Sequence, residues 1–191
     1  MEIEVVKDPA RLAADATLAA QLDALGERSA VAQNLGRAIT STALFTTAAS
    51  GQQQQQALYV ARDEHTGDAI GFLKTGLKHL FYVNKKGEYS EMDPLCVLDF
   101  FVDVAHQRAG IGLQLFNRLL QMEQVEPRQL AYDRPSPKLF AFLNKHCGLT
   151  NFFSQPNNFV VFDTYFDEHA PKQQNRRDRN STKKSKETPE A

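Results

Sequence analysis

Apolar residues recur at helical spacing between Gly110 and Gln124, where Ile111, Leu115, Leu119 and Met122 fall at i, i+4, i+8 and i+11. Leu113, Phe116 and Leu120 widen the stripe, so the pattern predicts an amphipathic helix. The stretch before it, Leu95 to Val102 (LCVLDFFV), is apolar at nearly every position. That is the pattern of a central strand covered on both faces. Asp99 breaks it, and a carboxylate in such a strand needs partners. Ala57 to Arg62 and Ala69 to Thr75 read as antiparallel strands joined by a polar turn with Gly67. Gly76 to Val83 continues as another strand, and Asn84-Lys85-Lys86-Gly87 is a hairpin turn signal.

Further along, Gln129 to Tyr132 predicts a short strand. Ser136-Pro137 reads as an N-cap followed by proline at the first helical position. The helix it opens runs through Leu139, Phe142 and Leu143 to about His146, with Gly148 as its C′ residue. Phe159 to Tyr165 is a last strand. Near the start, Leu18, Leu22 and Leu25 predict a helix between Leu12 and Asn34, which Gly26 interrupts or divides. Ala38 to Ser50 has no clear period, and the glutamine run Gln52 to Gln56 reads as a flexible loop. The order of elements predicts an α/β fold: a mixed, mostly antiparallel sheet flanked by helices, with a β-α-β unit at its centre.

The chain has 191 residues, 42% of them hydrophobic, enough for one domain with a real core. No run approaches the ~20 apolar residues of a membrane span. The acidic start MEIEVVKDPA lacks the features of a signal peptide, so a cytoplasmic protein with no membrane partner is expected. Cys96, Cys147 and the five histidines have no ligand spacing, so no metal is expected. The net charge of −1 hides an uneven distribution. From Lys172 onward seven Lys or Arg stand against three Asp or Glu. We therefore expect a domain over 1–170 and a basic disordered tail over 171–191. Such a tail suits an acidic surface, a polymer or a nucleic acid, or is simply solvated.

Three groups of residues could carry chemistry. Gly110 and Gly112 lie between a strand and a helix, where glycine lets the backbone approach a ligand and helix N–H groups attract phosphate. Arg108 adds a formal charge, although a tight turn would use the same glycines. Ser136 and Lys138 mark a second helix start able to hold an anion, or only a cap and a surface lysine. Cys96 and Asp133 lie near the ends of strands flanking the first helix. Acylating a lysine, whose amine titrates at about 10.4, requires a proton acceptor. A carboxylate or thiolate can serve, but core packing for Cys96 and a turn or ion pair for Asp133 are equally open.

The segments AVAQNLGRAITS (Ala30 to Ser41), DPLCVLDFFV (Asp93 to Val102), VEPRQLAYDRPSPKLFAFLNKH (Val125 to His146) and QPNNFVVFD (Gln155 to Asp163) resemble the α-tubulin N-acetyltransferases in sequence and order. Gln107 to Gly112 resembles the acyl-coenzyme A loop of the wider GNAT acetyltransferases. The resemblance implies a GNAT-like fold that uses acetyl-CoA as co-substrate. It implies acetylation of a lysine in the luminal loop of α-tubulin in microtubules, by direct attack in a ternary complex. A cytoskeletal location follows, with a cilium or flagellum plausible, a single copy as the working unit and no nucleic acid partner.

By matching motif, the co-substrate would be lined by Phe100, Phe101, Val102, Asp103, Val104, Ala105, His106, Gln107, Arg108, Ala109, Gly110, Ile111, Gly112 and Leu113. The second helix would add Ser136, Pro137, Lys138, Leu139, Phe140, Ala141, Phe142, Leu143, Asn144 and Lys145. The resemblance assigns catalysis to Gln33, Asp133 and Cys96. Two other readings remain: the same fold acting on another protein lysine or small amine, and a weakly active microtubule-binding module.

Overall fold

The computed structural model of the chain describes residues 1–50 and 55–167. The expected domain end at 170, the basic tail and most of the glutamine run lie outside the described residues; Gln56 opens a strand. Six strands form the main sheet, in the order β1 (Glu2–Val6), β2 (Gln56–Arg62), β3 (Ala69–Leu77), β6 (Leu95–Val102), β7 (Leu130–Asp133) and β8 (Phe159–Val161). Between β3 and β6 the chain makes a separate hairpin, β4 (Leu80–Val83) and β5 (Tyr89–Met92). All pairings are antiparallel except β6 with β7, which are parallel and joined through α4 (Ile111–Glu123). The remaining helices are α1 (Pro9–Ala13), α2 (Ala16–Ala32), α3 (Thr42–Ser50) and α5 (Pro137–Cys147).

Strand register sorts the side chains into two layers. Tyr59, Leu73, Val97 and Tyr132 face one way and pack with Ile111, Leu115 and Leu119 of α4 and Leu143 of α5. On the other face Leu58, Val60, Phe72 and Phe101 meet Leu18, Leu22 and Leu25 of α2. The same face carries Cys96, Ala131 and Val161 beneath Leu80 and Tyr82 of the hairpin. Each fully buried leucine contributes roughly 1.5–3 kcal/mol by leaving water.

The strands at the centre and helices α4 and α5 fall where the sequence puts them. Ser136 caps α5 through Leu139 N, and Gly148 closes it in the left-handed region at φ 66°. Elsewhere the structure corrects the expectation. Glu2–Val6, which shows no predicted element, is an edge strand against β2. The aperiodic Ala38 to Ser50 contains α3, anchored by buried Phe45. The first helix is divided not at Gly26 but at Asp15, whose carboxylate caps α2 by accepting from Leu18 N at 2.9 Å. Gly26 lies inside α2, against the Thr40 carbonyl. β3 runs on to Leu77, so the next strand starts only at Leu80. The last strand stops at Val161, and Asp163–Phe166 is a 3-10 turn.

Candidate active site

The parallel ladder between β6 and β7 is short. It pairs Leu95 with Leu130, Cys96 with Ala131 and Val97 with Tyr132, and ends there. β6 continues to Val102, whereas β7 stops at Asp133 and the chain turns away through Arg134, at φ 40°. The backbone of Leu98 to Val102 therefore has no strand beside it on the β7 side, and the sheet forks.

Helices flank the fork. Phe100 meets Phe116 of α4 at a 6.5 Å ring separation and Phe142 of α5 at 5.7 Å. Past the end of β6, Asp103 caps a 3-10 turn, Val104–His106, on which Val104 and Ala105 are exposed and His106 half-buried. Gln107 Nε2 donates to the Val102 carbonyl at 2.9 Å. Arg108, at φ 65°, Ala109 and Gly110 are exposed. Gly110 is the N-cap of α4, at φ 80° and with no side chain on the free N–H groups. Those groups, the helix dipole and Arg108 together favour an anion. Gly112 keeps the first turn low over Phe100, and Leu113 is half-buried.

Three of the expected lining residues, Phe101, Ile111 and Leu143, point into the core and offer the site backbone and shape only. On α5, Pro137, Lys138, Ala141, Asn144 and Lys145 are exposed, while Leu139, Phe140 and Phe142 are half-buried. The Ser136 hydroxyl already accepts from its own helix, at 3.2 Å from Leu139 N.

Asp133 stands at the tip of β7, where Arg134 Nε donates to its Oδ1 at 3.1 Å. It lines a cleft of about 740 Å³ with Lys78 from the end of β3, Phe81 and Tyr89 of the hairpin, and Asn157. Cys96 pairs with Ala131, two positions before Asp133, so thiol and carboxyl share a sheet face. The thiol is fully buried and its Sγ lies 3.5 Å from the Pro94 carbonyl. Burial pushes its pKa up to about 12, with Lys78 opposing and Asp133 adding to the rise. At neutral pH Cys96 is thus a neutral thiol.

A stability prediction follows. Folded Cys96 keeps its proton up to about 12, while the unfolded thiol loses it near 9.0. Its contribution is complete below pH 9 and is lost as pH rises through 12. We expect the urea midpoint to fall between pH 9 and 10.5, and Cys96→Ala to flatten that fall. An unchanged slope in the variant would refute the buried thiol as a source.

Gln33 is the C-cap of α2. Its Nε2 donates to Ser29 Oγ at 2.8 Å and to Asp99 Oδ1 at 2.9 Å. Asp99 also accepts from Ser29 Oγ at 2.9 Å and from Thr40 Oγ1 at 2.5 Å. Lys74, opposite Asp99 in the β3–β6 register, donates to the Ile39 carbonyl. Burial lowers the Lys74 pKa, partly offset by Asp99. Register places Lys74 and Asp99 on the face that carries Cys96 and Asp133. The sequence reading found no role for Lys74, Ser29 or Thr40. Its only signal was a lysine inside an otherwise apolar strand, the natural partner for Asp99.

A mixed sheet that forks between parallel strands, beside a helix opened by glycine, is the architecture of a GNAT-like acetyltransferase. The chain belongs to the family described as GNAT acetyltransferase, Mec-17, whose model matches residues 2–191. It is 56% identical over 177 residues to the α-tubulin N-acetyltransferase of Phytophthora infestans, covering 87% of this chain and 98% of that one. It is 47% identical to the enzyme of that name from Tetrahymena thermophila, with 80% of this chain and 36% of the relative covered. Against α-tubulin N-acetyltransferase 1 of Danio rerio the identity is 45%, with 76% and 48% covered. The chain thus spans less than half the length of these last two relatives. Among solved structures, a variant of the BH1408 protein from Bacillus halodurans matches with a TM-score of 0.54 at 15% identity, covering 81% of this chain and 96% of that one, and speaks to the fold alone. Among the described residues, no helix is long and apolar enough to cross a membrane, and no group of three or more His, Cys, Asp or Glu is placed to hold a metal.

Proposed function

We propose that this chain transfers the acetyl group of acetyl-CoA to a lysine side chain in the luminal loop of α-tubulin in microtubules. The observation that carries the reading is the fork, with Asp133 at its tip, in a chain 56% identical to an α-tubulin N-acetyltransferase. The uncapped start of α4 and Arg108 suit the pyrophosphate. The unpaired edge of Leu98 to Val102 suits the amide-bearing arm of the coenzyme, and its N–H groups suit the oxyanion that forms on acyl transfer. The lysine enters by the cleft on the Asp133 side. Its nitrogen becomes strongly acidic as it bonds to the acyl carbon, so a carboxylate suffices as acceptor. Asp133 takes the proton, because Cys96 is held protonated. The neutral thiol then positions rather than attacks, in keeping with direct transfer in a ternary complex. Gln33 completes the site from the end of α2.

The working unit is one copy of a 1–170 domain, and the basic 171–191 tail assists docking without contributing to chemistry. The location that follows is the microtubule cytoskeleton, including a cilium or flagellum. The test is acetylation of polymerised microtubules and of free tubulin dimers with acetyl-CoA, read by mass spectrometry of peptides. One luminal-loop lysine modified, faster in polymer than in dimer, is expected. Removing 171–191 should raise KM for microtubules less than about threefold, the scale of a few weak surface charges, and leave kcat unchanged. Acetylation of free amines with no preference for tubulin would point instead to another acceptor.

A further inference from the structure

The Asp99 cluster has a consequence for the orientation of Gln33, and it rests on the reading that Gln33 acts on the acceptor substrate. A carboxylate offers only acceptors, so the group Gln33 turns toward Asp99 must be its NH2. Both of those hydrogens are used, one on Asp99 Oδ1 and one on Ser29 Oγ. Ser29 can take one because its own hydrogen goes to the same Asp99 oxygen, at 2.9 Å. The opposite amide end is thereby decided: among the described residues Gln33 Oε1 takes no hydrogen bond, and it is left as an acceptor. Gln33 stands half-buried where α2 ends, and its own backbone N–H is used within the helix.

We propose that Asp99 is a positioning residue. It sets which end of the Gln33 amide is presented, so that Oε1 meets an N–H of the incoming lysine or of the loop that carries it. Thr40 and Lys74 hold this device in place. Thr40 Oγ1 occupies the other Asp99 oxygen at 2.5 Å. Lys74 lies across from Asp99 and fixes the Ile39 carbonyl, so the segment that follows Gln33 is tied at two successive residues. The whole cluster lies between the apolar layer under α2 and the one under the hairpin, where an unpaired charge would be costly. The ligand chemistry is therefore that of a hydrogen-bond donor, and an acceptor group presented at this point would be repelled.

The test is a charge-pattern exchange, read as kcat and KM for polymerised tubulin and for acetyl-CoA. Gln33→Ala should lower kcat; if it does not, the reading of Gln33 itself fails. Gln33→Glu sets two carboxylates against each other and should lower kcat by roughly tenfold to a hundredfold, the range of one charge-assisted hydrogen bond. Adding Asp99→Asn to Gln33→Glu returns a donor for the introduced carboxylate to face, and should recover much of that loss. Asp99→Asn alone should lower kcat with the KM for acetyl-CoA unchanged, and should cost nothing further on a Gln33→Ala background. Thr40→Val is the milder variant should Asp99→Asn fail to fold: kcat falls about threefold or more, by loosening a single hydrogen bond, and again not on the Gln33→Ala background. No recovery in the double variant, or equal losses with and without Gln33, would overturn the proposal and leave Asp99 a residue of the fold alone.

Discussion

Asp133→Asn is expected to lower kcat by roughly a hundredfold to ten-thousandfold, the usual contribution of a positioned proton acceptor. The substitution keeps the shape of the side chain at the tip of β7 but removes its basicity. Arg134 Nε, which donates to Oδ1 at 3.1 Å, can still donate to the amide oxygen. The side chain is not among the helix starts and strand edges that suit the coenzyme, so calorimetry should find acetyl-CoA affinity within about threefold of the unsubstituted protein, the change one rim contact can make. The burial of Cys96 sharpens the expectation: a thiol held up to about 12 supplies no thiolate to compensate. A variant that turns over normally would move the proton to another acceptor. One that loses the coenzyme or its fold would make Asp133 structural.

Gly26→Ala carries the second large effect, and two opposing magnitudes decide its sign. In a helix interior alanine is favoured over glycine by about 1 kcal/mol. Here a Cβ would stand 1.9 Å from the Thr40 carbonyl oxygen and 3.0 Å from its carbon, which are backbone atoms rather than the end of a flexible side chain. Relieving that overlap means moving α2 or the Thr40 segment, and overpacking of this kind costs roughly 1–3 kcal/mol or more. We expect a net loss of about 2 kcal/mol and a Tm lower by about 4–8 °C. Activity should fall more than stability suggests, because Thr40 is also a partner of Asp99. The measurements are a thermal melt and kcat at a temperature where the variant is folded. A raised Tm, the ordinary outcome of glycine to alanine in a helix, would refute the close approach.

The elements that position the site were legible because their signals are local. The stripe from Ile111 to Met122, the Ser136-Pro137 start and the apolar run around Cys96 each fix an element without reference to the rest of the chain. What was missed depends on distant neighbours. Glu2–Val6 alternates acidic and apolar residues, and becomes a strand only because β2 offers an edge some fifty residues on. α3 is built of Thr, Ala and Ser, too uniform for a period to show, and is held by buried Phe45. Gly26 looked like a break because glycine weakens helices, yet it serves a crossing that only the folded chain reveals. Likewise Asp99 announced a need for partners. Nothing local says that Ser29, Gln33 and Thr40 come from the first helical segment to meet it.

The hairpin of β4 and β5 pairs only with itself and stands apart from the six-stranded sheet. It is fastened by Leu80 and Tyr82 beneath it, and by the Gln155 side chain, which bonds both the N–H and the carbonyl of Val83. The floor of the cleft, in contrast, belongs to strands that share the main core. The two walls therefore differ in their free energy of local opening: the hairpin can fray at a cost well below global unfolding, while β6 and β7 open only with the whole domain. Such a division lets the entrance adapt to a bulky polymer surface while the reacting groups keep their spacing.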